Sequence, residues 1–359
     1  VARLLVNLDA VRHNARLIAD LCSARGVLLT GVTKGVLADP PLVRVLVEEG
    51  IHSLADSRLA NIARIRETGV AAELHLIRAP GPEELPGVLD MTDASYHSEL
   101  RTIRELASLA HARGTEHRVV LMVDVGDRRE GLMPGDVLEA AREVLDLKGA
   151  CLHGLGMNVG CASGVQPTPA NMGLLASLAQ DVQDQLGCPV PLVSGGSSLA
   201  MPLLVEGRVP QGVNHFRVGC AIWLGDYNTW DEPVPGARHD GFDLRATIIE
   251  LKWKPSLPEG EIGVDAFGCC PSFEDRGPML RAICSLGKQD IYLEGIEPLL
   301  PGARVVTASS DHLILDVTTV EPPPQVGDEV RFRMNYGAML YAMQSGYVIK
   351  KYLGKPAHA

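Results

Sequence analysis

The chain has 359 residues and a mass of 38.4 kDa, with 46% hydrophobic and 21% charged residues and a mean hydropathy of +0.09. This composition excludes a disordered chain, and no apolar run reaches the roughly 20 residues that a bilayer span needs. A net charge of −11, from 33 Lys and Arg against 44 Asp and Glu, excludes the basic face that a nucleic-acid or anionic-membrane partner requires. It points instead to a small, cationic substrate. The opening VARLLVNLDAVRHNARLI has neither the charged segment nor the cleavage site of a signal peptide, and the eight cysteines contain no CxxC pair. A cytoplasmic protein with reduced thiols and no metal site is expected.

From about residue 28 to residue 225 a short apolar strand, a polar or Gly-containing turn and an amphipathic helix alternate. The predicted strands are VLLTGVTK (27–34), HSLADS (52–57), ELHLIRA (73–79), ASYHSE (94–99), RVVLMVDVG (118–126), CLHGLGMNVG (151–160), PLVSGG (191–196) and NHFRVGCAIW (214–223). Apolar spacing of three and four residues predicts helices over Ser57–Thr68, Ser98–Arg113, Pro134–Leu147 and Ala170–Leu186. Eight such alternations predict an α/β fold, a closed (β/α)8 TIM-type barrel, and no GxGxxG follows the first strand to suggest a dinucleotide fold. After Gly225, Pro- and Gly-rich connections separate β-branched segments such as LRATIIELKW, RVVTASSDHLILDVTTV and EVRFRMNYGAML. These predict a mostly β C-terminal domain over 231–359 following a barrel domain over 1–230, with residues 1–9 available to pair with the β domain.

Barrel active sites lie at the C-terminal strand ends. Lys34 closes the first strand, and an amine on an otherwise apolar strand is the residue type that forms imines or moves protons; the bland alternative is a lysine reaching out to solvent. Arg129 follows the fifth strand, where a fixed cation can hold a phenolate or carboxylate. Asn158 ends the sixth, as a neutral hydrogen-bonding group or a turn residue. SGGSS, with Ser197 and Ser198, follows the seventh, and Arg217-Val218-Gly219-Cys220 closes the eighth; loops after strands seven and eight are the usual phosphate site of this barrel. A lysine opposite a phosphate cradle is what pyridoxal 5′-phosphate needs: an amine to carry it and donors for its phosphate.

These motifs make the sequence resemble the alanine-racemase-type (fold type III) pyridoxal-phosphate enzymes over nearly the whole chain, most closely the ornithine/alanine racemase branch. LLVNLDAVRHNARLI is similar to the family's first strand and helix, with Asn14 in its usual place. VTKG is similar to the cofactor-lysine motif, VDVGDRREG to DTGMxRxG, and FRVGCAIWLG to VRPGIxLYG. The resemblance implies that Lys34 carries the cofactor and that Arg129 touches its phenolate and the substrate carboxylate. It implies that Ser197, Ser198 and the Gly219 and Cys220 amides hold phosphate while Arg217 faces the pyridine nitrogen. MNYGAMLYAMQSGYV is similar to the terminal NYE segment, implying a phosphate contact from Tyr336; AICSLGKQDI is similar to GRVxMD, implying that Gln289 and Asp290 approach the substrate in the partner subunit. The family's head-to-tail homodimer is implied as well.

One departure matters. Where the family carries a catalytic tyrosine in GYADG, this chain reads VDAFGCCPSFEDRG. Inversion at Cα needs two opposed acid/base groups; Lys34 serves one face, and Cys269, Cys270, Asp311, His312 and Tyr341 are the candidates for the other, with Cys270, Asp311 and His312 retained. Glu274, Asp275, Asp290 and Asp311 are candidates to pair with a terminal ammonium, which suits ornithine or another basic amino acid. The alternatives are an alanine or broad-specificity racemase, a D-amino-acid lyase or decarboxylase on the same fold, and a non-catalytic cofactor-binding protein.

Overall fold

The structure is a computed structural model that describes residues 1–227 and 232–356; the expected 230/231 boundary lies outside the described residues. The chain divides into two compact units. The larger comprises Leu8–His239 with the tail from Lys355, and the smaller comprises Val1–Asn7 with Asp240–Gly354.

Strand β1 (Arg3–Asn7) leads into α1 (Leu8–Ser23), after which the larger unit alternates strands and helices. Its strands are β2 (Leu28–Val32), β3 (Ser53–Asp56), β4 (Glu73–Leu76), β5 (Ala94–His97), β6 (His117–Met122), β7 (Ala150–Gly156), β8 (Leu192–Ser197) and β9 (His215–Val218). They form a closed parallel barrel in sequence order, β9 pairing back onto β2 with Thr30 opposite Arg217. Each overlaps one of the eight predicted strands, so the TIM-type barrel expected from the alternation is the fold of this unit. The intervening helices are α2 (Pro40–Glu48), α3 (Leu59–Glu67), α4 (Leu85–Met91), α5 (Leu100–Ala112), α6 (Val137–Asp146), α7 (Pro169–Leu186) and α8 (Met201–Val205). Helix α7 starts on a reciprocal cap, in which Thr168 Oγ1 accepts the Asn171 N–H at 3.2 Å and Asn171 Oδ1 accepts the Thr168 N–H at 2.8 Å. Asn14 is buried on α1 and bonds the Ile222 and Arg238 carbonyls and the Arg238 N–H, fastening that helix to the segments that follow the last barrel strand.

The strand ends differ from the sequence reading. Strand β2 stops at Val32 and Lys34 opens a 3-10 turn, while β9 stops at Val218 and a short helix α9 (Cys220–Trp223) follows. Backbone donors at these ends are captured by side chains rather than by a continuing ladder: the Gly219 and Ala221 N–H groups both donate to Ser198 Oγ at 3.2 Å.

In the smaller unit the long strand β10 (Phe242–Pro255) pairs with β1 and β15 (Glu329–Met334) through its first half and with β11 (Pro278–Cys284) through its second, across a bulge at Ile248/Glu250. β12 (Ile296–Pro298), β13 (Arg304–Ala308) and β14 (Leu313–Asp316) extend the sheet, and β16 (Ile349–Leu353) runs parallel to β1. This is the mostly β region expected after the barrel, with one correction. EVRFRMNYGAML reads as a single β segment, but the strand ends at Met334 and helix α10 (Tyr336–Gln344) begins, because Asn335 Oδ1 accepts the Ala338 N–H at 3.0 Å and caps it.

Candidate active site

At the barrel mouth, Lys34 is half-buried in the turn after β2, beside Thr33, whose Oγ1 donates to Asp56 Oδ2 at 2.7 Å. Asp56 is fully buried at the end of β3 and also accepts from Asn61 Nδ2 and the Arg58 N–H. Burial pushes its carboxyl pKa up while these hydrogen bonds pull the other way. It therefore fixes the lysine turn from the neighbouring strand. From the other side, Trp223 Nε1 donates to the Val32 carbonyl at 3.0 Å, and a Cβ on Gly219 would stand 3.1 Å from that same oxygen. A side chain there would crowd that oxygen, and glycine lets the end of β9 approach the lysine strand without displacing it.

This approach brings Lys34, Ser197, Ser198, Gly219 and Cys220 to one end of the barrel. Two amide donors end on Ser198 Oγ, which leaves the serine O–H as the donor facing this strand end and places two amides where an anion displacing the serine oxygen would meet them. Burial pushes the Cys220 thiol up to about 12, so it is a packed neutral group at this strand end. Arg217 lies within the barrel, 6% exposed, donating from Nη2 to the Met157 carbonyl at 2.8 Å and from Nη1 to Ser194 Oγ, with its guanidinium carbon 5.1 Å from the centre of the Tyr96 ring. Asn158, next to Met157, donates to Cys161 Sγ at 3.1 Å.

Arg129 is placed differently from a simple inward-facing cation: its guanidinium forms a two-pronged pair with the adjacent Glu130, Nη2 to Oε1 being 2.6 Å. The loop that carries it closes at Gly131, where a Cβ would lie 2.3 Å from the Asp124 N. Buried Asp127 then accepts the N–H groups of Gly160, Ala162 and Ser163 at 3.2–3.3 Å, tying the loops after β6 and β7 together.

The remaining predicted residues lie on the smaller unit. Its turn at 286–290 and its turn at 309–312 are joined by Lys288 N–H to Ser309 O at 2.9 Å and Gln289 N–H to Ser310 O at 3.0 Å. Gly287 permits this, since a Cβ there would be 2.1 Å from the Ser310 carbonyl oxygen. Lys288 Nζ sits 4.2 Å from the Phe267 ring centre and 3.5 Å from Asp265 Oδ2, and Asp265 in turn accepts the Phe267 and Cys269 N–H groups at 2.9 Å. Gln289, Asp311, His312, Cys269 and Cys270 thus belong to one connected, exposed rim. Within it His312 Nδ1 is 2.8 Å from Asp311 Oδ1, and that hydrogen bond holds the Asp311 carboxyl below its ordinary range.

Other candidates have structural partners. Asp290 is buried, bonded to Ser345 Oγ at 2.7 Å and to the Gly287 N–H at 3.2 Å. Glu274 pairs with Arg276, Asp275 with Ser256 and the Gly277 N–H, and the Tyr341 ring lies 6.3 Å from Tyr292. Tyr336 is half-buried at the start of α10. The sequence reading missed Asp56, Asp127 and Ser194; an acid at each of the first two loop starts was the only signal, and Ser194 was hidden within SGGSS.

Comparison with known proteins places this geometry. An ornithine racemase of Acetoanaerobium sticklandii is 36% identical over 352 residues, covering 98% of this chain and 99% of that protein. A lysine racemase of Thermotoga maritima is 37% identical over 350 residues, covering 98% of each. The crystal structure of a D-threonine aldolase from Filomicrobium marinum superposes with a TM-score of 0.78 at 18% identity, covering 100% of this chain and 93% of that one, which shows a shared fold. Residues 6–226 match the alanine racemase N-terminal domain, and the chain belongs to the alanine racemase family.

Proposed function

We propose that this protein is a pyridoxal-phosphate-dependent racemase of basic amino acids, interconverting the L and D forms of ornithine, lysine or a close analogue. The observation that carries the reading is the near-complete alignment with proteins named ornithine racemase and lysine racemase. The donor set at the barrel mouth suits the cofactor: Ser197, Ser198, the Cys220 amide and the Gly219 amide, which here donates to Ser198 Oγ, would hold its phosphate. Arg217 would face the ring nitrogen, and Arg129 and Asn158 its opposite edge. When bound, pyridoxal phosphate supplies an electron sink that acidifies the amino acid's Cα–H.

Lys34 serves both as the amine that carries the cofactor and as the base that removes or returns the Cα proton on one face. A guanidinium keeps its protons near neutrality, so Arg217 would face the ring nitrogen as a donor without giving up a proton to it, which would favour proton exchange at Cα. Arg129 orients the substrate carboxylate, with Gln289 at the substrate's approach; Asp290, buried against Ser345 and the Gly287 amide, shapes the turn that carries Gln289. The opposite face requires a second acid/base group, and Cys270, Asp311 and His312 on the exposed rim are its candidates. We place that rim in the partner's site of a head-to-tail homodimer of a cytoplasmic enzyme.

Borohydride reduction of the purified protein should fix the cofactor to the peptide containing Lys34, and polarimetry with L-ornithine, L-lysine, L-arginine, L-alanine and L-serine should show rotation lost on a basic substrate. Lys34→Ala should abolish both signals. Trapping without any loss of rotation would rule out the racemase, and rotation lost on L-alanine alone would rule out the basic substrate class.

A further inference from the structure

Barrels of this type usually fill their interior with branched apolar side chains. Here Thr30, Tyr96, Ser194, His215 and Arg217 are each less than a tenth exposed, and four of them form a file of hydrogen bonds. Arg217 Nη1 donates to Ser194 Oγ; Ser194 Oγ is 2.8 Å from His215 Nδ1; His215 Nε2 is 2.7 Å from Thr30 Oγ1; and Thr30 Oγ1 is 2.7 Å from Ser53 Oγ. Ser53 is the first residue of β3 and half-buried, so the file descends from the arginine at the mouth toward the opposite end of the barrel. An apolar interior would stabilise the barrel at least as well as a buried polar chain. Stability alone therefore does not account for the file.

A guanidinium only donates, so Ser194 Oγ accepts from Arg217, and its second lone pair and its O–H leave two senses open for the rest of the file. In one of them Ser194 O–H donates to His215 Nδ1, His215 Nε2–H donates to Thr30 Oγ1, and Thr30 donates to Ser53. We propose that Thr30 is a positioning residue for the cofactor-facing arginine: by accepting from His215 Nε2–H it fixes the imidazole tautomer, and through Ser194 it holds the guanidinium of Arg217 in one orientation. This rests on the reading of Arg217 given under the proposed function. The groups that face His215 are Arg217 on its own strand, His75 on β4, whose ring is stacked 6.5 Å away, and His153 on β7. Burial first, then these neighbours, keep its pKa well below the ordinary value, so the imidazole is neutral at pH 7 and offers one donor and one acceptor.

The test has two arms. In the first, nitrogen–proton correlation NMR of the unsubstituted apoprotein, with the His215 signal identified by its loss in His215→Gln, should show the Nε2–H tautomer; the Nδ1–H tautomer would overturn the proposal without any further variant. In the second, Thr30→Val removes the acceptor at nearly constant shape and Thr30→Ser keeps it. Thr30→Val should move the tautomer signal and lower kcat about tenfold, with a smaller change in KM, and Thr30→Ser should restore both. A Thr30→Val protein that melts earlier but keeps the wild-type tautomer and kcat would make the file merely structural and overturn the proposal. Borohydride trapping at Lys34 is scored separately: its failure would sink the proposed function, whereas the apoprotein tautomer reports on the file alone.

Discussion

The imidazoles inside the barrel and the one beside Asp311 on the smaller unit stand under opposite conditions. In the barrel, His97, His117 and His215 are buried, and burial lowers each pKa, to about 3 for His97 and about 4 for His117. On the smaller unit His312 is exposed and lies against Asp311. Burial converts a titratable ring into a fixed neutral connector. The buried barrel rings thus act as geometry, whereas the ring on the smaller unit is open to solvent.

Acid should separate the two units most sharply. The folded-state pKa values of His97 and His117 lie below the ordinary value of 6.5, so the unfolded chain binds more protons as pH drops. The stability they contribute is complete above pH 6.5 and is lost on acidification, about 3 kcal/mol for each by pH 4. In the smaller unit the lowered groups are the carboxylates of half-buried Glu250 and Asp265 and exposed Asp311, whose contribution is lost only as pH falls through the carboxylate range. Hydrogen exchange corrected for intrinsic rates should show barrel segments losing protection between pH 6.5 and 4.5 ahead of the smaller unit; uniform protection across that window would break the contrast.

The next effect is catalytic. Of His312→Asn and Cys270→Ser, the one that removes the second acid/base group should lower kcat about a hundredfold and the other only a few-fold. Racemisation measured in both directions checks this, and two near-normal variants would leave Asp311 as the rim candidate. Within the barrel, Asp127→Asn removes a charged acceptor from three amides and should cost about 1–3 kcal/mol in urea unfolding; an unchanged midpoint would show that the loop pair needs no such tie. Smallest is Glu130→Gln. It frees Arg129 from a competing carboxylate worth ~0.2–1 kcal/mol and should lower KM for the amino acid a few-fold at unchanged kcat, while a raised KM would show that Glu130 itself orients the arginine.

The barrel was legible because each strand reads as a short apolar run followed by helix periodicity, and Lys34, Arg217 and SGGSS stand at strand ends where polar groups are conspicuous. The ends themselves were not. Nothing in FRVGCAIW signals that Ser198, about twenty residues earlier, takes the Gly219 and Ala221 amides and turns the chain into α9. The Tyr336 helix was misread because a short apolar run looks alike in either period and the deciding cap, Asn335, is local. The interior file was invisible for a different reason: Thr30, Ser194 and His215 alternate with apolar neighbours just as solvent-facing residues do, and only closure of the barrel turns that face inward. Asp311 and His312 were visible as types, but their attachment to the 286–290 turn depends on long-range β pairing.

Strand β1 has a consequence for the order of assembly. The barrel from Leu8 to His239 is one continuous stretch of chain, so during synthesis it can complete its closed sheet as soon as β9 has emerged. Arg3–Asn7 is made before the barrel yet belongs beside Phe242–Arg245 and Ile349–Leu353. It must wait as an unpaired edge while the whole barrel is made, so this five-residue strand, which precedes the barrel in the chain, is bonded only after it.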